Sequence, residues 1–487
     1  MAAAAPAPVP FETRMHDGRL HRSRPEGPIR FRVGGVFRSN TIYDVMMKRG
    51  WKETESDDDW DMHWADREWV YEVFDAGHLM SWQRVNHFRN GRELCRKDLL
   101  VKNIKRAKRT LDKSGKPEEA ARFDFCPVTF VLPGDYALFV EEFNRCAGTV
   151  WIMKPIGRAQ GKGIFLFHKL SQISQWKSEH RWKPDTPGVE TYVVQKYIPN
   201  PYLVGGKKFD MRMYALVTSF NPLKVYLHRS GFARFSASRY SSDLADIENA
   251  FVHLTNVAIQ KTSTEYNADT GGKWDLQALK MFVAAKHGRA ACDALFMGMQ
   301  DIVVNSLLGV QKVMISDRHC FELYGYDLLF DDDLRPWLIE VNASPSLTAN
   351  TRADYDTKFK MLSDLLDIVD LEGVRTGTER TVGGFDLIWD DGPVEPLRTE
   401  LWTSMLGADF DRRLNPVPTR PAEPPAPAAA AAASSGPTGS SSAAGRRAGG
   451  GSSRSLASAR RAAAAAAASS ATAAGSSGTG SHRGSLR

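Results

Sequence analysis

The stretch GYDLLFDDDLRPWLIEVNASPSL, residues 325–347, decides how this chain is read. Asp331, Asp332, Asp333 and Pro336 punctuate two apolar runs, a β-hairpin signature. A turn centred between Asp333 and Leu334 sets Asp327 opposite Glu340. Side chains alternate along a strand, so Glu340 and Asn342 share a face. Three oxygen-bearing side chains then converge on one spot. Converging carboxylates repel unless a cation neutralises them, and hard oxygen donors select Mg2+ or Mn2+. The plainer alternative is a solvated hairpin with incidental acids. Against it, Asp327 and Glu340 lie inside apolar strands rather than in the turn, where solvated acids belong.

Mg2+ takes one or two carboxylates and completes its shell with phosphate oxygens and water, so a nucleotide site is expected upstream. Lys154 ends the strand VWIMK, and Gly157, Gly161 and Gly163 follow in a short loop. Glycines let backbone N–H groups approach phosphates, and a strand lysine can neutralise them. The pattern is neither a Walker A motif nor a GxGxxG fingerprint, and alone it is equally an ordinary hairpin. Lys208 and Asp210 follow a glycine pair in GGKKFDMR, and Gln195–Ile198 closes an apolar strand suited to a flat base.

Around this site the chain runs to 487 residues, with 42% hydrophobic and 25% charged, which allows two to four globular domains. It contains no unbroken apolar run of about 18 residues, so no membrane span is expected. MAAAAPAPVP is a poor secretory signal. Five cysteines without a CxxC pair fit reduced thiols better than a disulfide frame. The net charge is +7, and the segment from Asn415 to Arg487, with eight arginines and the single acid Glu423, carries all of it. The pI near 9.0 is therefore no argument for nucleic acid. That segment is otherwise mostly Ala, Ser, Gly and Pro and reads as disordered, as do residues 1–26. Arg84–Lys113 holds eleven basic residues against three acids, either a solvated face or a binding surface. Strand signals at Phe31–Phe37, VWIMKPI, GIFLFHKL, TYVVQKYI, MRMYALVTSF and KVYLHRSGF alternate with helical spacing at Thr41–Gly50, Asp275–Val313 and Arg352–Leu371. The expected class is α/β or α+β.

The segments WIMKP, AQGKGI, VVQKYI, KKFDMRMYALVTS, HLTN and IEVNASPSL, in this order and spacing, resemble the tubulin-tyrosine-ligase-like enzymes, and among them the polyglutamylases. The resemblance implies an ATP-grasp fold with N-terminal, central and C-terminal subdomains. The corresponding division is 27–148, then a catalytic body over 149–375, an extension over 376–414 and the tail over 415–487. It implies ATP- and Mg2+-dependent addition of L-glutamate to the acidic C-terminal tail of tubulin through an acyl phosphate, with two metal ions possible and Mn2+ able to substitute. By the same resemblance, Lys154, Gln160, Gly161, Gln195, Lys196, Tyr197, Ile198, Lys208, Phe209, Asp210, Thr255 and Asn256 would hold ATP. Asp327, Glu340 and Asn342 would hold the metal. Arg234, Lys261 and Arg212 would receive anionic substrates, since guanidinium and ammonium groups suit carboxylates.

Glutamine at position 160 resembles the chain-elongating members. Gly373–Leu414 is shorter and more mixed in charge than the basic microtubule-binding region of self-sufficient members, which suggests accessory subunits. The family points to cytoplasm and cytoskeleton, including the axoneme and basal body of a cilium or flagellum. Two other readings are a glycine ligase of the same family and a non-catalytic axonemal microtubule-binding protein.

Overall fold

Strand Glu322–Phe330 pairs antiparallel with Pro336–Asn342, and Asp327 does face Glu340. The turn reaches that register by a different route. Beside the turn Phe330 pairs with Pro336 and Leu328 with Leu338, which centres it on Asp333. The register then shifts between Asp327 and Leu328, so Ile339 bulges and restores the expected facing. Leu334 adopts φ +61°, and its N–H donates to the Asp331 carbonyl at 3.0 Å.

The computed structural model of the protein describes residues 27–72, 74, 79–173, 190–266, 272–343, 345–349 and 351–395, and the backbone alone of Thr13–His16 and Arg19–Arg22, which pair as a small hairpin. The tail from 415, and the remainder of residues 1–26, lie outside the described residues.

The long strand Lys207–Phe220 organises a nine-stranded sheet. The acidic hairpin borders one edge; Leu223–His228 and Phe232–Phe235 share the other. The run KVYLHRSGF covers most of the first and only Phe232 of the second. The chain breaks there because Gly231 presses on the long strand: a Cβ at Gly231 would sit 2.3 Å from the Arg212 carbonyl oxygen. Four antiparallel strands, Thr129–Leu132, Tyr192–Lys196, Trp151–Pro155 and Phe165–Phe167, form a second sheet. A small parallel sheet near the N-terminus includes Arg30–Val33, shorter than the expected Phe31–Phe37 because Gly35–Phe37 turns into a 3-10 helix. The architecture is mixed α/β.

Alternation along the long strand divides the core. Met211, Met213 and Ala215 face helices Leu276–His287, Arg289–Gln311 and Lys97–Lys113, while Tyr214 and Leu216 face helices Thr41–Lys48 and Arg352–Val369. Asp275–Val313 is thus two helices, separated at Gly288 with φ +85°. The second, Arg289–Gln311, has the length and composition to cross a membrane, with mean hydropathy 1.2, which a search for an unbroken apolar run passes over. Here 61% of that window is buried inside the protein, so core packing accounts for its composition. All five cysteines are free.

Candidate active site

The second sheet and the long-strand sheet border a cleft of about 720 Å³, counting the part open to solvent. Lys154 and Gln195 enter from the smaller sheet; Lys208, Asp210, Arg234, Asp327 and Glu340 enter from the larger. On the long strand, every second side chain, Lys208, Asp210 and Arg212, shares a face. Phe209 points the opposite way, onto Phe235 and Phe330, with ring centroids 5.1 and 5.4 Å distant. Its side chain belongs to the core rather than to the cleft.

The acid end is dense in charge. Arg212 Nε donates to Asp327 Oδ1 at 2.5 Å and Arg212 Nη2 to Asp327 Oδ2 at 3.0 Å. Arg234 Nη2 lies 2.8 Å from Asp327 Oδ2 and also pairs with Asp210. Asn342 Nδ2 reaches Asp327 at 3.4 Å and Glu340 at 3.5 Å, so the expected trio does converge. Burial alone would raise the Asp327 pKa, but the charges of Arg212 and Arg234 outweigh it and hold the carboxyl well below the usual range. The Nη1 group of each arginine makes no hydrogen bond among the described residues, so each retains donors for a further carboxylate.

The same cleft holds two buried cations whose direct partners are neutral. Lys154 Nζ donates to Gln195 Oε1 at 2.8 Å, and Gln195 is steered by donating to Thr129 Oγ1 at 2.9 Å. Lys208 Nζ donates to the Tyr197 hydroxyl at 2.8 Å and to the His253 carbonyl at 3.0 Å. Among the described residues neither ammonium has a carboxylate within ion-pair distance. Burial pulls Lys154 down to about 8. Burial, reinforced by the charge of Lys154, pulls Lys208 down to about 7. An isolated buried charge is costly, so both positions favour an anionic ligand.

Lys196, Tyr197, Ile198, Thr255 and Asn256 also line the cleft, together with apolar side chains that the sequence reading did not single out: Pro127, Ile152, Ile164, Leu254, Leu329 and Ile339. Lys97 was missed as an individual residue. It lies 3.0 Å from Glu340, and its only signal was membership of the basic run. Gln160 and Lys261 are exposed, and neither lines the cleft. Gly161 is buried at φ +80°, where a Cβ would lie 2.8 Å from Asn256 Oδ1, so the glycine loop is fitted against HLTN. The turn acids Asp331, Asp332 and Asp333 also cluster. Asp331, however, accepts from the Arg335 N–H and Trp337 Nε1, both at 2.9 Å, and Asp332 accepts from Asn200. These bonds secure the turn.

Buried lysines with only neutral partners and facing carboxylates with an amide thus meet around one cleft, a donor set whose chemistry suits an anionic ligand and a cation. The family model described as "Tubulin-tyrosine ligase family" matches residues 76–376, and the chain belongs to this family. A Rattus norvegicus relative, "Probable tubulin polyglutamylase TTLL9", is 48% identical over 385 residues, spanning 73% of this chain and 83% of the relative. A Caenorhabditis elegans relative, "Probable tubulin polyglutamylase ttll-9", is 48% identical over 382 residues, 77% of this chain and 89% of the relative. "Probable alpha-tubulin polyglutamylase Ttll1" of Tetrahymena thermophila is 43% identical over 373 residues, 72% and 90% respectively.

Proposed function

We propose that this chain is a tubulin polyglutamylase of ATP-grasp architecture, using Mg2+ and ATP to add L-glutamate to acidic tubulin tails. The single observation that carries the nucleotide part is the pair of buried ammoniums, Lys154 and Lys208, directed at the same cleft as Asp327 and Glu340. The oxygen donors of Asp327, Glu340 and Asn342 fit a hard divalent cation. The apolar wall near Ile198 and Leu254 fits a flat base.

Mg-ATP, when bound, would supply a phosphoryl group that converts an inert carboxylate into an acyl phosphate open to attack by an amine. The protein's part is positioning and charge. Lys154 and Lys208 neutralise phosphate oxygens. Asp210 offers an acceptor to a ribose hydroxyl, and Thr255 with Asn256 borders the nucleotide. Arg234 and Arg212 hold carboxylates through their spare N–H donors, and the family resemblance assigns Lys261, outside the cleft lining, to the incoming amino acid. Gln160 supports chain elongation over initiation. Accessory subunits would deliver the enzyme to the cytoskeleton and the ciliary or flagellar axoneme.

The test is mass spectrometry of tubulin incubated with enzyme, Mg2+, ATP and separate pools of glutamate, glycine and tyrosine. Glutamate addition to the tails is expected, as extensions of existing branches. Glycine addition would reject the assignment of amino acid. Calorimetry with Mg-ATP separates a missing partner from a dead site: a silent enzyme that still binds lacks only its recruiter.

A further inference from the structure

A second concavity lies away from the cleft, between the C-terminal half of helix Lys97–Lys113 and the end of helix Arg289–Gln311. Its empty volume is about 1190 Å³, counting the open side. The floor is apolar: Leu111, Phe123, Leu308 and Trp389. The rim carries Arg106, Arg122 and Lys312, none with a carboxylate in ion-pair distance among the described residues. The one acid in the lining, Glu119, is already paired with Lys116 at 2.8 Å. Asp301, one helical turn before Asn305, feels the charge of Arg122. The groove is therefore hydrophobic at its base and positively charged at its edge.

Charge decides which occupant fits. A second copy related by a two-fold axis through the groove would set these cations against the same cations. The chain's own tail is a poor match in charge too, with eight arginines against the single acid Glu423 from Asn415 onward. A groove between two helices suits a third helix. We propose that this groove is a docking site for an acidic amphipathic helix of a partner protein, with apolar anchors on the floor and carboxylates at Arg106, Arg122 and Lys312.

The probe is a fluorescein-labelled helical peptide with leucines at i, i+3, i+4 and i+7 and glutamates elsewhere, titrated by anisotropy against the full chain. Saturable binding is expected, weakened about tenfold or more by Arg122→Glu combined with Lys312→Glu. Leu308→Ser should weaken it comparably, while glutamylation of a free tail peptide by both variants stays at the wild-type rate. Should the Leu308 variant unfold, the two surface charge reversals still decide. Equal binding of the all-lysine counterpart, or of a glutamate peptide without leucines, overturns the proposal. So does retention of full affinity in the charge-reversed variant. Capture by anionic lipid vesicles with the same residue sensitivity, in place of peptide binding, would reassign the surface to a membrane and overturn it too.

Discussion

Asp327 and Asp386 are both buried aspartates on strands of the large sheet, and both are gripped by arginine, yet they do different work. Asp386 accepts from Arg229 Nε at 2.8 Å, Arg229 Nη2 at 2.5 Å and Thr381 at 3.0 Å, while Arg229 Nη1 donates to the Gly383 carbonyl at 2.9 Å. Both oxygens of the acid take their bonds from its arginine and a threonine, every arginine nitrogen is used, and neither residue lines the cleft. At Asp327 two arginines meet one carboxylate, one of them, Arg234, shared with Asp210, and the neighbouring Lys154 and Lys208 have only neutral partners. Burial wins at Asp386, where a single guanidinium leaves the carboxyl raised to about 6. Two guanidiniums reverse that outcome at Asp327. A closed pair stabilises a fold; an imbalance of buried charge marks where a ligand belongs.

The sharpest way to break this comparison is Glu340→Gln. It removes a charge from the cleft while preserving shape. Ligation should fall about 1000-fold, with the thermal midpoint nearly unchanged; full turnover would falsify the metal-ligand role. Asp386→Asn should do the converse. Stranding Arg229 at a buried site costs about 3 kcal/mol, measured by urea denaturation, while kcat/KM of the folded fraction stays at the wild-type value. If Asp386→Asn instead left stability intact and lowered activity, the division between the two pairs would be lost. Arg234→Lys comes next in size. Lysine keeps the charge but loses the planar fork shared between Asp210 and Asp327. The expected result is a KM for glutamate raised about 10- to 100-fold, with a smaller effect on the Kd of ATP.

The sequence made the hairpin legible because its acids interrupt apolar strands, where burying a carboxylate is costly unless a cation meets it. The expected pairing of Asp327 with Glu340 holds because the bulge at Ile339 compensates for a turn centred half a residue from the expected place; an isoleucine beside Leu338 carries no mark of a bulge. Lys208, Asp210 and Arg212 were readable by alternation; the same rule takes Phe209 out of the cleft, which a motif transferred as a block obscures. Lys97 was hidden because a lysine in a basic helix looks like its neighbours until folding sets it beside Glu340. The apolar wall was illegible for a related reason. Ile152, Leu254 and Leu329 come from separate segments, and nothing local distinguishes a cleft isoleucine from a core one.

The smallest effect separates the two regions by proton traffic. Lys208 and Lys154 sit near 7 and 8, below the ordinary lysine value of 10.5. Between those values and 10.5 the unfolded chain holds protons that the folded chain has released, so the stability contribution of these lysines rises with pH across this window. Asp386 behaves oppositely and earlier: with its folded value raised to about 6, its contribution falls as pH climbs from about 4 to 6 and is finished before the lysines titrate. A polyphosphate favours the ammonium forms, so ATP binding at about pH 8 should draw protons from solution, and affinity should fall between about pH 7 and about pH 9. Calorimetry in two buffers of different ionisation enthalpy reads the proton uptake directly. Lys208→Met should remove much of it, and Asp386→Asn none. Proton release on binding, or uptake unaffected by Lys208→Met, would mean that the cleft's spare positive charge is not what the nucleotide meets.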